Sequence, residues 1–158
     1  MGENDGGVTF RVARAEDVVA IMRSRSTDAE WGPADHRTRS YLEGRHHPQS
    51  ALPARTAFLA MKDDKVLGYI AGHLTQRYDC DGELQYLWVA PSDRGRDIAT
   101  RLLELLALWF SEQPARRICV DVLPDNSRAR SFYMRHGARE LNPNWMCWDD
   151  ITTCVPRT

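Results

Sequence analysis

The run Leu84–Val89 has the make-up of a strand, and it stops at Ala90-Pro91. Proline fixes its own φ and has no N–H to give a ladder, so the chain must leave the sheet there. Ser92-Asp93-Arg94-Gly95-Arg96-Asp97 then forms a tight basic loop. From Ile98 to Gln113 the apolar residues fall at 98, 102, 105, 106, 109 and 110, with Pro114 beyond the end. That spacing is one face of a helix. A strand, a loop and a helix start in this order aim several backbone N–H groups at one spot. The first N–H groups of a helix have no intrahelical partner, and the dipole favours negative charge. Such a spot binds phosphate, and Arg94 and Arg96 add full positive charges beside it.

The rest of the chain limits what can surround that loop. At 158 residues it is expected to form one domain over 8–158, after a disordered Gly- and acid-rich start at 1–7. The net charge of −1 supplies no overall field for nucleic acid or an anionic membrane. The most apolar stretch, Ile98–Phe110, is broken by Arg101 and Glu104 and is too short to span a bilayer. Met1–Gly7 lacks the apolar centre of a signal peptide, so a cytoplasmic location is expected. The four cysteines (80, 119, 147 and 154) have no Cys-x-x-Cys or His-Cys metal spacing. They read as free thiols with no metal site. Cys119, between Ile118 and Val120, reads as a small buried apolar residue, and His46-His47 as surface.

Alternating Val8, Phe10 and Val12 predict a first strand over 8–13. A helix is expected over 16–26 and a short one over 36–43. A hairpin is expected from 56–62 and 65–74, turning at Asp63-Asp64. Residues 83–89 form the next strand, with Leu84, Tyr86 and Trp88 on one face and Gln85, Leu87 and Val89 on the other. Apolar residues on both faces make it central. A strand over 117–123, a helix capped by Asn126 and ended at Gly137, and strands over 138–141 and 145–151 complete an α/β domain with a mixed, largely antiparallel sheet.

Two segments resemble one family. Arg94-Gly95-Arg96-Asp97-Ile98-Ala99 is similar to the Arg-x-x-Gly-x-Gly/Ala acyl-CoA pyrophosphate loop of the GCN5-related N-acetyltransferases (GNAT), with Asp97 where the family usually has Gly. Asn126, Ala129, Phe132, Tyr133 and Gly137 stand at the spacing of its second signature, Asn-x-x-Ala-x-x-Phe-Tyr-x-x-x-Gly. The resemblance covers residues 83–141. It implies a fold whose two central strands splay to admit the pantetheine arm. It implies acetyl-CoA as donor, held by Arg94, Gly95, Arg96, Asp97, Ile98, Ala99 and Thr100 and by backbone groups of Leu87, Trp88 and Val89. Ala129 and Phe132 belong to the same cofactor wall. Asn126 caps its helix, contacts the cofactor, or does both.

The resemblance also implies two catalytic residues. Glu83 lies eleven residues before Arg94, the spacing of the catalytic glutamate in histone-type members; it is either a general base or a solvated strand-end residue. Gln85 has no group that could take a proton. Tyr133 is either a core aromatic or the acid that meets the departing thiolate. Asp97 poses a cost: a carboxylate about 4 Å from a phosphate charge loses on the order of 4 kcal/mol at an effective dielectric near 20. Its side chain must therefore point outward for the site to work. Asp also tolerates the left-handed backbone such a loop needs.

The reading is acetyl transfer to a primary amine, small-molecule or peptide, by direct attack in a ternary complex. Acidic Asp28, Glu30, Asp35, Asp79 and Asp81 would favour a cationic acceptor, or are solvated loop charges. Trp31, Tyr78 and Trp145 line an acceptor pocket, or simply pack. Two alternatives stand beside this: a non-catalytic CoA-binding module, and a transferase using another acyl donor. Nucleic acid and membrane are not expected partners, and both monomer and homodimer remain open.

Overall fold

The computed structural model describes residues 6–28, 36–95 and 97–156. Residues 1–5 of the expected disordered start, together with Trp31, Glu30, Asp35 and Arg96, lie outside them; Gly6 and Gly7 form a turn. Strand β1 (Thr9–Val12) leads through a single 3-10 turn into α1 (Val18–Ser26), and α2 (His36–Leu42) follows. Strands β2 (Ala51–Lys62) and β3 (Lys65–Thr75) form the hairpin, turning at Asp63 and Asp64, both at positive φ. Then come β4 (Gly82–Val89), α3 (Ile98–Glu112), β5 (Ile118–Asp121), α4 (Ser127–Arg135), β6 (Arg139–Asn142) and β7 (Trp145–Trp148).

These strands form one sheet in the order β1-β2-β3-β4-β5-β7-β6. Every neighbouring pair is antiparallel except β4 with β5. The parallel ladder is short, joining only Gly82, Glu83 and Leu84 to Ile118, Cys119 and Val120. Beyond it β4 runs on to Val89 while β5 ends, so the two strands part and leave the β4 edge facing a gap.

Helix α3 packs on one face of the sheet, burying Ile98, Leu102, Leu103, Leu106, Ala107 and Phe110. Full burial of the Ile, Leu and Phe side chains is worth about 1.5–3 kcal/mol each. Leu105 and Trp109, expected in the apolar face, are only partly buried. The helix lies close because the strands beneath it carry glycine. A Cβ on Gly72 would sit 2.9 Å from the Glu83 carbonyl and 3.1 Å from Phe110, and one on Gly82 would collide with the Phe110 ring. One on Gly68 would lie 2.8 Å from the Trp88 carbonyl and 3.4 Å from Ile98. The opposite face buries Ile21, Leu59, Val66, Tyr69, Trp88 and Ala90.

The structure corrects three sequence expectations. Strand β2 begins at Ala51, earlier than residue 56, and so runs through Pro53; the ladder with β3 is broken between Ala51 and Arg55, where the proline sits. The last strand ends at Trp148, and Ile151–Cys154 forms a 3-10 turn. The third correction matters most for the site. Register with β3 shifts within β4: Ala71 faces Tyr86, but Gly72 faces Leu84, leaving Gln85 as a bulge. The extra residue breaks the alternation. Leu84 joins Leu87 and Val89 in the α3-side core, while Tyr86 and Trp88 pack on the other face. Leu84, Tyr86 and Trp88 therefore do not share a face.

Candidate active site

The parting of β4 and β5 opens a cleft of about 840 Å³. Its walls are β4 from Glu83 to Val89, the loop before α3, the end of β5, and α4. At one end the chain turns into α3. Gly95 (φ 82°) and Asp97 (φ 62°) both take the left-handed conformation. Asp97 occupies the N-cap position, its carbonyl accepting from the Arg101 N–H at 3.0 Å. Its side chain makes no capping hydrogen bond and is exposed. The carboxylate thus leaves the N–H groups of Ile98, Ala99 and Thr100 uncapped at the cleft wall. This end fits an anionic phosphate group.

Arg94 lines the same wall but is partly committed to the protein. Its Nε donates to the Val89 carbonyl at 3.0 Å, and Nη2 lies 3.2 Å from Asp28 Oδ2. The Trp88 indole donates to the same carboxylate oxygen at 2.9 Å. Asp28 is therefore a buried clamp between loop and sheet rather than a solvated acidic charge.

On the opposite wall Asn126 caps α4, its Oδ1 accepting from the Ala129 N–H at 3.2 Å. Gly137 ends that helix at φ 97°. The cap turns Ala129, Phe132 and Tyr133 toward the cleft. Tyr133 is buried, edge-on to Trp148 at 5.5 Å and to Phe132 at 5.7 Å. Burial pushes its hydroxyl pKa above the ordinary value, so the group stays protonated. Thr100 Oγ1 lies 3.3 Å from His136 Nε2, joining the α3 start to the end of α4.

The other end of the cleft holds Glu83, which is only 3% exposed. The reading of Glu83 as a solvated strand-end residue does not hold. Burial pushes its carboxyl from 4.5 up to about 7, against the pull of the Arg77 guanidinium and with a further push from Asp121. Arg77 Nε lies 3.3 Å from Glu83 Oε1 and His73 Nε2 lies 3.8 Å from it. Arg77 also stacks over Trp145 at 4.7 Å, and Tyr78 meets Trp145 edge-on at 5.3 Å. Trp145 lines the cleft; Tyr78 is half-exposed beside it. Asp81 serves the fold, its Oδ2 accepting from the N–H groups of Arg116 and Arg117 at 2.9 and 3.0 Å. Cys119 is fully buried, and a hydrogen bond with Cys80 together with burial pushes its thiol pKa up, away from nucleophilic use. All four cysteines are free.

Residues 18–138 match the family model described as the acetyltransferase (GNAT) family. The chain belongs to that family. Solved structures agree at the level of fold. The PaiA N-acetyltransferase of Thermoplasma acidophilum, in complex with coenzyme A, is 17% identical, with 89% of this chain and 96% of that one covered and a TM-score of 0.67. The ribosomal-protein-S18-alanine N-acetyltransferase of Escherichia coli is 15% identical over 89% and 92%, at a TM-score of 0.69. An acetyltransferase from Thermus thermophilus is 19% identical over 89% and 94%, at a TM-score of 0.67. No curated protein sequence matches the chain. Among the described residues no helix is long and apolar enough to cross a membrane.

This GNAT site also contains groups that the motifs did not point to. His73 sits in the apolar run of β3, Tyr41 on α2, Arg77 in the connection before β4 and Asp121 at the end of β5. Only the pairing of β3, β4 and β5 brings three of them beside Glu83, and no local pattern marks them.

Proposed function

We propose that this GNAT protein is an acetyl-CoA-dependent N-acetyltransferase that modifies a primary amine by direct attack in a ternary complex. The observation that carries the reading is Glu83, a buried carboxyl near neutrality at one end of a cleft whose other end is an uncapped helix start. An alkyl ammonium with a pKa near 10.4 is a free amine in only about one molecule in 2,500 at pH 7, a deficit of roughly 4.6 kcal/mol. Glu83, directly or through one water, accepts the proton released as the new N–C bond forms. Acetyl-CoA supplies the activated acetyl group. The N–H groups at the start of α3 hold its phosphates, with Arg94 and Arg96 adding charge. Backbone groups of Leu87–Val89 bind the pantetheine amides and polarise the thioester carbonyl. Tyr133 donates a hydrogen bond or its proton to the sulfur as the C–S bond breaks.

The acceptor is a small-molecule or peptide amine, and Tyr78 and Trp145 are its candidate walls. We place the reaction in the cytoplasm, without nucleic-acid or membrane partners. Thiol release from acetyl-CoA across a panel of polyamines, aminoglycosides, lysine peptides and free N-termini tests the reading. Amine-dependent release that is lost in Glu83→Gln is expected. Binding of acetyl-CoA with no release for any amine would favour the non-catalytic module; release from a different acyl-CoA would change the donor.

A further inference from the structure

Behind Glu83 lies a buried pair of side chains for which the proposed chemistry has no use. Tyr41 is 1% exposed and His73 0%. The Tyr41 hydroxyl lies 2.8 Å from His73 Nδ1, and His73 Nε2 lies 3.8 Å from Glu83 Oε1. The three residues come from α2, β3 and β4, and His73 and Glu83 are direct partners in the ladder. The Tyr41 ring is fixed from three sides: edge-on to His73 at 5.6 Å, edge-on to Tyr86 at 5.4 Å, and under the Arg55 guanidinium at 4.7 Å.

The environment sets the protonation of this pair. Burial, then the charges of Arg55 and Arg77 and the nearby His47, push His73 down to about 4. At neutral pH it is an uncharged imidazole with one N–H. Burial pushes the Tyr41 hydroxyl above its ordinary value, so it keeps its proton. If Nδ1 carried the imidazole proton, the bare lone pair of Nε2 would face a carboxylate oxygen. If the Tyr41 hydroxyl donates to Nδ1, the proton sits on Nε2 and faces that oxygen instead. The second arrangement is the attractive one when Glu83 is charged. At 3.8 Å the contact is not yet a hydrogen bond, and among the described residues neither His73 Nε2 nor Glu83 Oε1 has another hydrogen-bond partner.

We propose that Tyr41 and His73 are positioning residues for Glu83: the Tyr41 hydroxyl fixes the His73 tautomer, and the Nε2–H closes onto the carboxylate as it ionises. One carboxylate oxygen is thereby held inward while the other stays free for the cleft. This rests on Glu83 as the proton acceptor. Other charged groups face the same cluster. Arg77, from the connection before β4, also favours the carboxylate but is partly exposed to the cleft, so solvent weakens its pull. Asp121 of β5 opposes ionisation. Arg55 of β2 and His47 of the preceding loop act on the imidazole, and Tyr86 of β4 on the Tyr41 hydroxyl. The Arg77 Nε that faces Glu83 Oε1 is itself buried, but the rest of that side chain is partly exposed, whereas the whole His73 side chain is sealed from water.

The test reads Glu83 twice in the full chain: by carbon-13 titration of its carboxyl, and by the low-pH limb of kcat/KM. A hydrogen bond to a charged group is worth enough to move a pKa by about one unit or more. Tyr41→Phe and His73→Leu should raise both midpoints by that amount and lower turnover at pH 7 about fivefold, with the KM for acetyl-CoA unchanged. His73→Gln, which keeps an N–H near the Nε2 position, should restore both. If His73→Leu fails to fold, Tyr41→Phe, which keeps the ring, decides. A Glu83 midpoint within about 0.3 units of wild type in Tyr41→Phe overturns the proposal, whatever happens to thermal stability. If Glu83→Gln keeps full turnover while the carboxyl midpoint still moves in Tyr41→Phe, positioning stands and the assignment of Glu83 as base falls.

Discussion

Replacing Glu83 by glutamine should weaken the reaction and strengthen the fold, and the two effects have separate pH signatures. Burial lifts the Glu83 carboxyl from 4.5 to about 7, a value already net of the Arg77 guanidinium 3.3 Å away. Between those two pH values the folded chain holds the proton more tightly than the unfolded chain does. Stability is therefore fully present below about pH 4.5 and is lost as pH rises through about 7. At about 1.36 kcal/mol per pKa unit, the loss at pH 8 amounts to roughly 3 kcal/mol. Glutamine has no charge to bury. Denaturant unfolding of Glu83→Gln should show a gain of order 1–3 kcal/mol over wild type at pH 8 and little gain at pH 5. In the opposite sense, turnover should fall by roughly 10²-fold, and the rise of kcat/KM through about pH 7 should disappear. Acetyl-CoA affinity should stay nearly constant. A stability difference that is the same at pH 5 and pH 8 would refute the burial argument; turnover within about a factor of three of wild type would assign the proton to another group.

Three further outcomes are expected. Arg94→Ala should raise the acetyl-CoA dissociation constant by about tenfold or more in calorimetric titration, and should also lower the melting temperature, because the same guanidinium ties Val89 to Asp28. Tyr133→Phe keeps the packing against Trp148 and should reduce turnover with little change in thermal stability; a large loss of stability with normal turnover would mark a purely structural ring. Asp97→Gly should tighten acetyl-CoA binding modestly, most visibly at low salt, since the carboxylate is exposed and makes no capping bond to hold the loop; weaker binding would show that it supports the loop after all.

What the sequence reveals about this chain follows the range of the forces involved. Helix α3 and the Asn126 cap are legible because their causes lie within one turn: apolar spacing, a side-chain oxygen, a glycine at the end. The left-handed Asp97 is legible for the same reason, as a residue type that tolerates the backbone. The bulge at Gln85 is not, because an inserted residue shows only against the register of β3, and its effect is to move Leu84 to the opposite face. Asp28 and Asp81 read as loop charges because their partners, Arg94 with Trp88 and the two residues just before β5, are far along the chain. His73 looks like one more member of an apolar strand. Its meaning depends on Tyr41, brought to it by the packing of α2, and on Glu83, brought to it by the register of β3 with β4.

The glycines under α3 give the helix a second use as a measuring rod. Ile98 sits over Gly68 at the loop end, and Phe110 sits over Gly72 and Gly82 at the Glu83 end. The rise between them is about 18 Å. With no Cβ between rod and floor, the helix has no slack in which to slide or lift. The interval from the start of α3 to the Glu83 carboxyl is thus held by close packing of the helix as well as by the Arg94–Asp28 tie at the loop. A donor is gauged by the length of its arm as well as by its charge. Changing Gly72 to alanine would press on Phe110 and on the Glu83 carbonyl, and so shift the start of α3 relative to Glu83 without altering the identity of any residue that lines the cleft.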